Sequence, residues 1–269
     1  MSVRQRPYRT QPASFVISAV CIFVTGVIQL APSSLSQTEL AILLGAYYKA
    51  FIAAGEWWRL LTVGFVHVSV IHLFVNMMSL SVLGRVLEPA LKPLKFCILL
   101  FGSVIGGSVF LFCTSGNTVG VGLSGGLYGC LAAYIYLVSE AGAMKNPQVR
   151  YGVIQTVVMN LLINFLPGVA WRAHFGGAIT GLLLIMCLNP RKEAQDVKRN
   201  ALVALAVLCV ISVVACRRSM DLSQDNYYLK TDFNILEFEK NHGMSSYVSN
   251  LAERLDKRYD ISYLELLFR

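Results

Sequence analysis

Seven stretches of this 269-residue chain are apolar for long enough to cross a bilayer, at roughly 14–31, 64–84, 94–113, 123–139, 149–167, 173–189 and 200–216. A spanning helix needs about 20 mostly apolar residues, because in hydrocarbon every backbone N–H and C=O must be satisfied inside the segment itself. That requirement leaves an all-α polytopic membrane protein as the fold class. The composition agrees: 55% of residues are hydrophobic, 14% are charged and the mean hydropathy is +0.58.

The formal net charge of +8 is not a nucleic-acid signal, because its distribution follows the spans. One set of termini and loops holds Arg4, Arg6, Arg9, Arg85, Lys92, Lys95, Lys145, Arg150, Arg191, Lys192, Lys198 and Arg199. The alternate set holds only Lys49, Arg59 and Arg172. Basic residues concentrate on the cytoplasmic side of membrane proteins, so the N-terminal segment 1–13 is expected in the cytoplasm. The seven cysteines fall in or at the ends of spans and form no CxxC or metal-ligand cluster, so they read as small buried residues. Pro32, Ser33 and Ser34 follow the first span without a convincing cleavage site, so that span is expected to stay.

Residues 14–189 are expected to form a six-helix core, with a long first loop at 32–63. That loop holds Tyr47, Tyr48, Phe51, Trp57 and Trp58, a set suited to the membrane–water interface. Residues 190–216 supply a loop and a seventh span, and 217–269 a polar extramembrane tail. Thr231 and Ser246 are plausible helix starts in that tail. Seven spans place the tail on the outer side, although Arg217 and Arg218 oppose that assignment.

Polar groups at membrane depth are costly, and those present are of types that perform chemistry. Ser124 opens the fourth span within Gly122-Leu123-Ser124-Gly125, where a helix N-terminus offers unpaired N–H groups to a developing oxyanion. A plain N-cap is the commoner use of a serine there. His174 opens the sixth span, and Gly177 and Gly181 behind it form a G-x-x-x-G face that permits close helix approach. His72 and Asn76 are four residues apart, on one helical face. His67 is offset by five and is expected to point elsewhere, ordering water near the site. No aspartate lies in the spans, so a Ser–His dyad is the natural arrangement. A metal site built from His67, His72 and His174 lacks a carboxylate or fourth ligand, and H-E-x-x-H is absent. No metal or cofactor is therefore expected.

Together these residues resemble the rhomboid family of intramembrane serine proteases, in its six-plus-one transmembrane form. The resemblance covers about 14–189 and rests on the G-x-S-G around Ser124, the A-H-x-x-G-x-x-x-G of Ala173, His174, Gly177 and Gly181, and the H-x-x-x-N of His72 and Asn76. Trp58-Arg59 in the first loop and Leu83-Gly84 through Glu88 fit it too. It implies Ser124 as nucleophile, His174 as general base, and His72 and Asn76 as oxyanion donors. It also implies a supporting Gly122 and a Tyr128 stacked on the histidine. The implied substrates are transmembrane segments of other membrane proteins, cleaved at small or helix-breaking residues. A catalytically silent relative that binds such segments, and a seven-span transporter or receptor, are rival classes. Intact Ser124 and His174 oppose the first, and the lack of paired ionisable groups in any span opposes the second. A short N-terminal segment favours a bacterial plasma membrane, with the site open to the outer face. The oligomeric state is not specified by the sequence.

Overall fold

The computed structural model describes residues 11–189, 195–225, 227–259 and 261–268. Seven long helices form the membrane body: α1 (Pro12–Leu30), α5 (Val70–Leu91), α6 (Pro93–Thr114), α7 (Ser124–Glu140), α8 (Pro147–Ile163), α9 (Trp171–Leu188) and α10 (Gln195–Arg218). Five of them are long and apolar enough to cross a bilayer by length and composition; α7 and α8, at 17 residues each, are shorter. Three short helices, α2 (Gln37–Leu43), α3 (Lys49–Ala53) and α4 (Arg59–Thr62), fold the first loop. Three more, α11 (Leu229–Asn241), α12 (Ser245–Tyr259) and α13 (Tyr263–Phe268), fold the tail. Of the basic residues used to orient the chain, Arg4, Arg6, Arg9, Arg191 and Lys192 lie outside the described residues.

The second span is a correction to the sequence-based bounds of 64–84. Residues 63–65 make a separate 3-10 turn, and α5 begins only after Ser69, whose hydroxyl accepts from the His72 N–H. The helix then continues to Leu91, because Glu88 is held by protein rather than exposed. Its carboxylate accepts from the Ala13 N–H (2.8 Å), the Ser14 N–H (3.0 Å) and the Ser14 hydroxyl (2.7 Å). A buried anion thus caps the first turn of α1, whose N–H groups have no helical partner.

The centre of the body is α6, α7 and α9, which make the most extensive helix contacts. The G-x-x-x-G face of α9 meets a second one on α7, Gly125 and Gly129. A Cβ at Gly177 would lie 2.0 Å from the Gly125 carbonyl oxygen, and one at Gly181 would lie 2.3 Å from the Gly129 Cα. The two backbones are therefore in direct contact, an approach that only glycine permits.

The first loop is built on Arg59, which is 2% exposed. Its guanidinium pairs with Glu56 (2.5 Å), donates to the carbonyls of Ile42 and Ala46, and lies over the Trp58 ring at 4.4 Å. An antiparallel bridge joins β1 (Tyr47–Tyr48) to β2 (Val119–Gly120), the segment leading into α7. The expectation of an interfacial aromatic cluster needs correcting. Only Trp57 and Trp58 are exposed; Tyr47, Tyr48 and Phe51 are fully buried.

What buries part of that loop is the tail. Tyr48 donates its hydroxyl to Asp232 on α11, and Tyr263 donates to the same carboxylate at 2.9 Å. Tyr247 donates to Glu56, Asn234 donates to Glu39 (2.7 Å), and the Arg258 guanidinium donates to the Ala53 carbonyl (3.1 Å). Tail and first loop consequently lie on one face. Arg217 and Arg218, which oppose that side by charge, occupy the last turn of α10, where cations complement the helix dipole.

Two consequences are measurable. Gly177→Val should lower stability by about 3 kcal/mol or more, because the added side chain collides with backbone. Gly152→Ala, where a Cβ meets nothing within 4 Å, should be neutral or slightly stabilising in the same thermal-unfolding assay in detergent. Second, burial pushes the Asp232 carboxyl up to about 7. Burial also pushes Glu239 up to about 7, with Glu56 beside it adding to the effect and Arg59 opposing it. Both folded values exceed the unfolded ones, so the packed tail is most stable below the unfolded values and weakens as pH rises toward 7. Amide exchange in α11 and α12, corrected for intrinsic rates, should be slower at pH 5.5 than at pH 8. Asp232→Asn should reduce that difference.

Candidate active site

The N-terminal ends of α5, α7 and α9 converge on the side of the first loop. Ser124 is the first helical residue of α7; Leu123 takes the cap position and makes no side-chain cap bond. The serine is therefore not an N-cap, and its hydroxyl is free to face α9. The turn into it requires glycine: Gly122 has φ +110°, a region other residues rarely adopt. The Gly122 N–H donates to the Val63 carbonyl (3.1 Å), so this residue shapes the turn rather than offering a donor. A Cβ there would also lie 2.6 Å from the His72 ring, which rests against the turn.

His174 lies in the first turn of α9, 6% exposed, with its Nε2 at 2.8 Å from the Ser124 Oγ. Tyr128, one turn into α7, stacks on the imidazole with ring centroids 4.1 Å apart and planes 8° from parallel. The other ring nitrogen, Nδ1, is 2.6 Å from Oδ1 of Asn164, the residue that ends α8. Asn164 was not singled out by sequence. An asparagine after an apolar run is an ordinary helix end, and nothing in its local sequence points to α9.

The network assigns the histidine tautomer. Asn164 Nδ2 donates to the Asn160 carbonyl (2.9 Å) and to the Tyr128 hydroxyl (3.1 Å), which in turn donates to the Asn160 carbonyl (2.7 Å). A carbonyl only accepts, so the amide orientation is set and Oδ1 faces the imidazole. Nδ1 must then carry the hydrogen of the neutral ring, leaving Nε2 as an acceptor for the Ser124 hydroxyl.

His72 and Asn76 lie on α5, four residues apart. Asn76 is 3% exposed, and one of its amide hydrogens goes to the His72 backbone carbonyl (2.8 Å); the second is free of that bond. His67 falls before α5, fully buried, with its ring against the edge of His72 at a centroid distance of 5.1 Å. Among the described residues no group of three His, Cys, Asp or Glu side chains is placed to hold a metal ion. A cavity of about 30 Å³ opens beside the serine, lined in part by Tyr47, Ser108, Gly122, Ser124, Gly125 and Ala173. It has room for roughly two water molecules. A nucleophile-type hydroxyl, an accepting imidazole, uncapped helix N–H groups and a small recess are the parts needed for acyl transfer.

The family described as Rhomboid domain matches residues 54–191. Among similar proteins, Rhomboid protease GluP of Bacillus subtilis is 30% identical over 177 residues, covering 64% of this chain and 35% of that protein. RHOMBOID-like protein 5 of Arabidopsis thaliana is 34% identical over 154 residues, covering 55% of this chain and 50% of that protein. Inactive RHOMBOID-like protein 8 of the same plant is 30% identical over 147 residues, covering 54% and 42%. The chain thus spans half or less of the length of these relatives.

Proposed function

Because the chain belongs to the rhomboid family, we propose that it is an intramembrane serine endopeptidase that cleaves transmembrane segments of membrane-protein substrates. The observation that carries this reading is the 2.8 Å contact of Ser124 Oγ with His174 Nε2, in a ring whose other nitrogen is held by Asn164. The name of one relative includes the word inactive, so intact chemistry at these positions matters to the choice between a protease and a silent binder.

His174 Nε2 takes the Ser124 proton as Oγ attacks a peptide carbonyl. Nδ1–H stays bonded to Asn164 Oδ1 throughout, so the imidazolium forms without a ring flip. Asn164 is neutral and contributes orientation, not a counter-charge, which leaves the pair a dyad with an amide positioner. The oxyanion receives the Ser124 backbone N–H, the free Asn76 amide hydrogen and the His72 ring. His174 then returns the proton to the leaving amine, and a water activated by the same nitrogen hydrolyses the acyl-enzyme. A substrate helix must unwind to expose its carbonyl, since its backbone bonds are otherwise closed in lipid. The narrow recess beside Ser124 favours a small residue at the bond cut.

The charge distribution supports a cytoplasmic N-terminus and a site open to the outer face, and a bacterial plasma membrane is the proposed setting. The test is a purified sample acting on a model single-span substrate in proteoliposomes. Ser124→Ala and His174→Ala should each remove at least about a thousandfold of the rate while the protein stays folded. Asn164→Ala should lower kcat by about tenfold with KM unchanged, the value of one lost orienting bond. His72→Ala or Asn76→Ala should cost roughly a hundredfold, since each removes one of several donors. Wild-type cleavage by Ser124→Ala would overturn the mechanism. A folded wild type that binds the substrate without cutting it would favour the silent reading.

A further inference from the structure

The seventh long helix is sparsely embedded: in α10 only Ala201 and Cys216 are buried. Cys216 lies in its last turn, immediately before Arg217, and its Sγ is 3.3 Å from the Sγ of Cys113 in the last turn of α6. The neighbourhood is ordered around the pair. Cys113 Sγ approaches the Ser212 carbonyl (3.8 Å), and the Ser219 hydroxyl donates to the Cys113 carbonyl (3.3 Å). Lys49 donates to the Ser115 carbonyl just beyond α6. Cys113 is half-buried and reachable, whereas Cys216 is 9% exposed.

We propose that Cys113 and Cys216 are a disulfide site that fastens α10, and the tail beyond it, to α6. A disulfide bond is about 2.05 Å long, so the sulfurs must close by about 1.2 Å, within reach of small side-chain rotations. Under the proposed orientation the pair faces the outer side, the side where disulfides persist. The oxidant is a disulfide of a small thiol or of an oxidoreductase. Cys113, deprotonated, attacks one sulfur of that disulfide and forms a mixed disulfide, expelling the first thiolate. Cys216, deprotonated in turn, attacks the Cys113 sulfur and expels the second. Two protein thiols lose two protons and two electrons, and the oxidant leaves as two thiols. The bond closes a loop across 103 positions of sequence, enclosing α7, α8 and α9. It depends on sidedness but not on peptidase activity.

The test treats the purified full chain in detergent with oxidised glutathione, blocks free thiols after unfolding, and counts the labels by mass spectrometry. The chain has seven cysteines, so the reduced protein should carry seven labels and the oxidised protein five, with one linked peptide pair containing Cys113 and Cys216. Cys113→Ser and Cys216→Ser should each keep six labels in both states. Cys209→Ser, which changes an exposed thiol, should still fall from six to four. Seven labels on oxidised wild type, or a linkage between other cysteines, would overturn the proposal. Both readouts are independent of cleavage, so they stand whether or not the protein is a protease.

Discussion

Contact between two glycine backbones sets the geometry of this molecule. With Gly177 against Gly125 and Gly181 against Gly129, α9 approaches α7 closer than any side chain would allow. The first turns of the two helices are then near enough for Ser124 and His174 to share a hydrogen bond. A methyl group at either interface would separate the helices, and the reacting atoms would part with them. The Tyr128 stack and the Asn164 bond refine a distance that the glycines have already fixed.

The fold was legible where the physics is local. Long apolar runs predict spanning helices, and seven long helices are present close to the expected positions. The second span was misplaced at both ends for a non-local reason. Gly64 to Val68 reads as membrane-embedded but forms a turn and a buried connector, while Arg85 and Glu88 read as a loop. Glu88 can remain in the helix because Ser14, 74 positions earlier, supplies the partner. In the site, Ser124 and His174 are visible as rare polar types beside glycines. Asn164 is not, since its partners lie on other helices and its own neighbourhood is unremarkable. The tail helices were partly legible from Thr231 and Ser246. Their attachment to the first loop was not, because a tyrosine–aspartate bond such as Tyr48 to Asp232 leaves no pattern in either segment.

The same structure handles polar groups in two ways. Around the reacting pair they are joined in a compact network of Ser124, His174, Asn164, Tyr128 and Asn160. Where the first loop meets the tail they are numerous and shared between the two, with Arg59, Glu56 and Asp232 all buried. The first arrangement holds one imidazole in one tautomer. The second joins elements that sit at opposite ends of the chain.

That joining has a consequence for biogenesis. The partners of Tyr48, Glu56 and Ala53 lie 184, 191 and 205 residues further along. At synthesis rates of about 5–20 residues per second, the loop is made roughly 10–40 s before the groups that cover it. Until then Tyr48 and Glu56 lack those partners, and by the end of the interval all the residues of the Ser124–His174 network have been synthesised. The reactive pair is thus complete in sequence before its surroundings are, and residues translated later finish the face on which the first loop lies.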